Sequence, residues 1–186
     1  MDTPQLGTTQ PGLYPRKNLV HYQQSESSVA GIDGIIVEDN AENKISFNVM
    51  PNRPVEERLF LRRYRIWDDA IEAEFDRQYF SSMEKSPDHL IFVTVLVHLQ
   101  KMIYVYMCHY CGLPYDPYGP ELLKVWPTQL EISMPKLITK QKNIRHLLKV
   151  KSVVEMRPKQ FMITADSSVE NRIAINGQAV VIRLDV

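Results

Sequence analysis

The stretch from Leu90 to Met107 constrains this chain more than any other. It is apolar almost throughout, interrupted by Thr94, His98, Gln100 and Lys101. It is long enough to cross a hydrocarbon layer. Three of its polar residues sit near the centre, where each is costly in lipid, and its flanks lack a clear basic side to orient it. A helix apolar nearly all round but broken by a few polar groups is one enclosed by other protein. The expectation is therefore a buried central helix and no membrane span.

Local signals place its ends. Ser86 can cap it, Pro87 suits a first helical position, and Asp88 complements the positive end of the dipole. Gly112 and Pro114 stop it. Before it, Ile35, Ile36 and Val37, then Ile45, Phe47 and Val49, predict two strands joined by a polar turn. Trp67, Ala70, Ile71, Phe75 and Tyr79, at spacings of three to four among acidic residues, predict an amphipathic surface helix over 66–79. After it, alternation marks strands at Leu130–Met134, Leu148–Met156, Phe161–Ala165 and Val180–Val186, with a tight turn at Asn176-Gly177. Residues 1 to 28, rich in Pro, Gln, Ser and Thr, read as an arm, leaving 29 to 186 as one domain.

Strands, one long apolar helix, then long antiparallel strands make an α+β chain whose curved antiparallel sheet wraps the helix. Charge narrows the partners. Lys+Arg and Asp+Glu both number 22 in 186 residues, giving no basic footprint for nucleic acid. The opening residues carry neither the basic nor the apolar region of a signal peptide, and only two cysteines occur, so the expected compartment is cytoplasmic.

The Ser86-Pro87-Asp88-His89 opening, the strands at Leu130–Met134 and Leu148–Met156, and the final Ile175–Ile182 stretch, expected as a hairpin, resemble the hotdog-fold superfamily over residues 30 to 186. The segment from Asp88 to Gln100 also resembles hotdog proteins of A-factor-type biosynthesis and mycobacterial long-chain acyl-CoA thioesterases. The resemblance implies a sheet wrapped around a central helix, a homodimer or higher homo-oligomer, and an acyl-CoA or acyl-carrier-protein substrate. It implies thioester hydrolysis, with dehydration or condensation in fatty-acid, polyketide or secondary-metabolite biosynthesis as an alternative. A non-catalytic acyl-binding or assembly module is another. From Leu90 through Gly112 there is no Asp or Glu, and Ser81-Ser82-Met83-Glu84-Lys85 stands where a dehydratase has a His-Phe-Pro loop, which points away from ordinary dehydratase chemistry.

For that chemistry the helix start supplies Asp88 and His89 to handle a proton, with backbone N–H groups around His89 and Leu90 to receive the thioester carbonyl. Each has a bland alternative as a helix-end residue. Thr94, His98, Lys101 and Cys108 fall on one polar stripe, whose partners are substrate and water or merely sheet carbonyls. His98 is the second choice for chemistry, and Gln100, on another face, can orient a water or pack. Asp88, His89 and His98 are thus the catalytic candidates, and Leu90, Thr94, Gln100 and Lys101 the substrate-binding ones. Cys108-His109-Tyr110-Cys111 has a metal-like spacing without a second ligand pair, and the chain offers no serine-hydrolase elbow, P-loop or dinucleotide turn. No metal or redox cofactor is required.

Overall fold

The computed structural model describes residues 34–39, 42–83 and 87–185. The expected N-terminal arm, the Ser86 cap and Val186 lie outside them. Four strands precede the helix: β1 (Ile35–Glu38), β2 (Glu42–Met50), β3 (Arg53–Ile66) and β4 (Ala70–Ser81). After α1 (Phe92–Tyr110) come β5 (Leu123–Ser133), β6 (Ile144–Arg157), β7 (Gln160–Val169) and β8 (Ile173–Arg183). They form a single sheet in the order β1-β3-β4-β6-β7-β8-β5, with β2 beside β1 along β3, and every pairing is antiparallel.

The strand that follows the helix therefore goes to the far edge; the chain then crosses to β6, beside the strand that precedes the helix, and meanders through β7 and β8 back to β5. Helix α1 packs on β4 and β6 in mid-sheet and on β5 at the edge. A flat sheet cannot meet one helix in both places, so the sheet curls around it. This is the α+β hotdog architecture that the resemblance implies. The concave face carries Leu59, Leu61, Phe75, Leu148, Ile163, Val169, Ile175 and Val181, packed with Val95, Leu99, Met102, Val105 and Met107 of the helix. No helix among the described residues is long and apolar enough to cross a membrane.

Four sequence expectations are corrected. Residues 66–79 are not helical; they end β3 and build most of β4. Ile71, Ala73, Phe75 and Arg77 alternate inward at period two, and the acids between them pair across the strand, Asp76 with Arg62 and Glu74 with Arg63. The same apolar residues fit period 3.6, because Arg77 occupies an inward position where an apolar residue would have marked a strand.

Asn176 and Gly177 do not turn; both lie inside β8. Gly177 stands there because a Cβ would come within 2.5 Å of the Gln129 carbonyl oxygen, where β5 bulges between Pro127 and Gln129. The chain reverses instead at Lys159 and at Glu170-Asn171, non-glycine residues with φ of 66°, 50° and 53°.

The helix starts later than its sequence signals. Its N-cap is Ile91, in extended conformation, and Pro87, Asp88, His89 and Leu90 lie before it outside any helix or strand. Its end is as expected: Gly112 takes φ 64° and donates to His109 O, while Leu113 N–H donates to Cys108 O, a Schellman closure. Nor is the helix wholly enclosed, since Val93 and Val97 are each 44% exposed.

Candidate active site

The approach to α1 is held by a buried guanidinium. Arg77 points inward from β4 and donates to Glu57 Oε1 at 2.8 Å, to Lys140 O at 3.0 Å and to Asp88. Glu57 comes from an inward position of β3, and its Oε2 accepts the Ile91 N–H at 2.9 Å. The carboxylate that closes the helix N-terminus thus comes from the sheet. Burial raises the Glu57 carboxyl above its ordinary value, against the lowering effects of the Ile91 N–H, Thr94 and Arg77.

This geometry settles where the first group of candidate residues lies. Asp88 accepts from Arg77 and from Gln141 Nε2, with its side chain 40% exposed. His89 sits before the helix rather than in its first turn, with Nδ1 2.8 Å from Pro87 O and its ring near Tyr79. The Leu90 side chain is buried in the core, and its N–H is spent on Ile138 O. The carbonyl-binding role expected of the Leu90 N–H is therefore corrected.

Lys101 leaves the polar stripe to pair with buried Asp39 at 3.1 Å, an oxygen that also accepts from Tyr115. Burial and that carboxylate push the Tyr115 hydroxyl well up. Tyr115 packs edge-on to Tyr64 and Tyr104, while Tyr118 is exposed. Burial likewise raises the Cys108 thiol to about 11, leaving it protonated at neutral pH.

A cleft of about 230 Å³ lies between α1 and strands β5 to β8. Leu96, Leu99 and Ile103 wall it on the helix side, Leu148, Ile163, Ala165 and Ile175 on the sheet side. Its polar residues are Gln100, Ser167 and Gln178. Gln100 Nε2 donates to Val125 O at 2.9 Å, which leaves its second amide hydrogen available.

Behind Ser167 runs a buried polar chain. Ser167 Oγ lies 2.6 Å from His146 Nε2, and His146 Nδ1 lies 2.9 Å from His98 Nδ1. Among the described residues His98 Nε2 has no hydrogen-bond partner. Two facing Nδ1 atoms demand that one ring carry a proton there and the other not. With the proton on His146, its Nε2 is free to accept the Ser167 hydroxyl hydrogen.

Burial holds both rings neutral, His146 down to about 3 and His98 well below its ordinary value. His98 is therefore brought together with two residues that sequence reading missed, while Asp88 and His89 stand apart from them. His146, Ser167, Glu57 and Arg77 share one signal: each is a lone polar residue at an inward position of an otherwise apolar alternation.

No family model and no curated protein matches the chain. Among solved structures it is similar to a mutant of the thioesterase PA1618 from Pseudomonas aeruginosa, at 9% identity over 67% of this chain and 82% of that one, TM-score 0.40. It is similar to the thioesterase HI1161 from Haemophilus influenzae, at 12% identity over 68% and 79%, TM-score 0.36. An acyl-CoA hydrolase from Agrobacterium tumefaciens aligns at 13% identity over 82% and 79%, TM-score 0.36.

Two outcomes follow. Arg77→Met leaves the Glu57 carboxylate buried without its cation and lowers unfolding free energy by about 3–5 kcal/mol, whereas adding Glu57→Gln recovers part of the loss. Urea titration decides, and a single-variant cost under about 1 kcal/mol contradicts the tie.

The second concerns pH. His146 and His98 bind protons more readily unfolded than folded, so their contribution is complete above the ordinary histidine value and is lost as pH falls towards about 3. Each contributes a slope of up to about 1.4 kcal/mol per pH unit below about 6.5. Raised Glu57 acts in the opposite sense, so the readout is the difference between wild type and His146→Gln across pH 7 to 4.5. Parallel curves for the two proteins refute it.

Proposed function

We propose that the protein is an acyl-thioester hydrolase that lays the acyl chain in the cleft between α1 and the sheet. The cleft itself carries the reading: an apolar slot between helix and sheet, whose polar lining residues are Gln100, Ser167 and Gln178. An alkyl chain satisfies the walls, and a polar carbonyl satisfies the amides. The substrate class is acyl-CoA or an acyl-carrier-protein thioester.

In this reading Gln100 supplies the donor for the carbonyl, while Asp88, His89 and Lys101 act as structural groups whose partners fix the helix and its approach. Thr94 belongs to the buried path between Glu57 and His98, and Leu90 to the core. The working form is a homodimer. Among the described residues strand β5 is an edge of the sheet bearing Trp126 and Leu130, and Val93 and Val97 of the helix are exposed. A second copy seated there covers the edge and closes the cleft, which Val97 and Leu130 also line.

The test is product analysis with acyl-CoA and carrier-mimic thioesters of increasing chain length. Free acid and thiol are released, and each added methylene tightens binding about fourfold until the cleft is full. Ala165→Phe, which fills the slot, abolishes the chain-length dependence. Light scattering on the same sample gives twice the 21.6 kDa chain mass. Intact thioesters that still shift the melting temperature identify a binding module, and chain-length independence removes the acyl slot.

A further inference from the structure

The geometry points to Ser167 as a nucleophile that is transiently acylated, with His146 as its base and His98 as the group that orients His146. This deepens the acyl-thioester reading and rests on it for the substrate. Three elements converge to build the chain: Ser167 from β7, His146 from β6 and His98 from α1. Each is nearly or wholly buried, at 5%, 0% and 2% exposure. Register places Ser167 opposite Leu148, and His146 opposite Val169 on the same inward face, so the serine reaches the cleft while the imidazole stays behind it.

A purely structural role explains this arrangement poorly. Burying three polar side chains in an apolar wall is favourable only where every polar atom is satisfied, yet His98 Nε2 is without a partner among the described residues. A nucleophile needs a base within hydrogen-bond reach and a third group that fixes the base, and the distances of 2.6 and 2.9 Å supply both. Neutral His146 is already in the form that accepts a proton. His98 Nδ1 accepts from His146 Nδ1–H and thereby presents the His146 Nε2 lone pair to the hydroxyl.

In the acylation step Ser167 Oγ bonds to the thioester carbon as its hydrogen passes to His146 Nε2. The carbon–sulfur bond then breaks, and the leaving sulfur takes that proton and departs as a thiol. Water attacks the resulting serine ester, giving a proton to His146 Nε2. The breaking carbon–oxygen bond returns its electron pair to Ser167 Oγ, which recovers the proton. The sum is thioester plus water to acid plus thiol. Gln100, on the same cleft, is the donor for the oxyanion.

Two probes separate this assignment from the substrate reading. An alkyl fluorophosphonate reports an activated serine whatever the natural substrate, and acyl-CoA turnover reports hydrolysis. The expected result is a phosphonyl adduct on the Ser167 peptide, lost in Ser167→Ala and His146→Gln. Ser167→Ala lowers kcat by at least about 1,000-fold. Ser167→Cys, which preserves a partner for His146, accumulates an acyl-enzyme of the acyl mass.

His98→Asn, a positioning change, slows labelling at saturating probe without altering the concentration for half-maximal rate. Labelling at Ser167 with every thioester intact upholds the nucleophile and removes the thioester reading. Thioester turnover retained by Ser167→Ala, with no label on wild type, overturns the nucleophile and leaves hydrolysis standing. Should Ser167→Ala fail to fold, the mass of the Ser167→Cys protein after acyl-CoA decides: no adduct overturns the assignment.

Discussion

The Arg77 guanidinium holds the helix in place, and the cleft exists only because the helix is held. Its three contacts join β3 through Glu57, the helix approach through Asp88, and the 134–143 connection through Lys140 O. Glu57 in turn closes the first free N–H of the helix. A charge buried so completely is tolerable only when it is paired and hydrogen-bonded, and the three contacts use one hydrogen on each of its nitrogens. The consequence is geometric: the helix axis is pinned at its N-terminal end to the concave face of the sheet.

From that pin the helix lies along the concave face against β4, β5 and β6, and the Schellman closure at Gly112 releases the chain at its other end. The sheet must curl to follow it. Mid-way along, helix side chains as large as Leu99 and Ile103 face small ones on the sheet, Ala165, Ser167, Gly177 and Ala179, and the space between is the cleft. Gly177 has two uses here. It admits the bulged β5 edge at close range and leaves that part of the cleft wall without a side chain. Fold and cleft are thus products of the same packing.

The apolar run at Leu90–Met107, the strands after it and the stop at Gly112 are legible because hydrophobic period and turn chemistry agree there. Legibility fails at 66–79, where Arg77 replaces the apolar residue that would have marked an inward strand position. It fails again at Asn176-Gly177, where the glycine serves a neighbouring strand rather than a turn. The helix start is misread because the cap is Glu57, distant in sequence, while Pro87 and Asp88, which carry the local signals, lie before the helix. For the site, His98 is legible as a polar interruption of an apolar helix. His146 and Ser167 are not: each looks like one polar residue in an alternating strand until tertiary structure sets them in line.

The most direct measurement is a crystal structure with a non-hydrolysable thioether analogue of a long-chain acyl-CoA. The account predicts the alkyl chain between Leu99 and Ile103 of the helix and Ile163 and Ile175 of the sheet. Its polar junction would sit within hydrogen-bond reach of Ser167 Oγ. An analogue bound with its chain outside this cleft, or with its sulfur beside Asp88 and His89 instead, contradicts it.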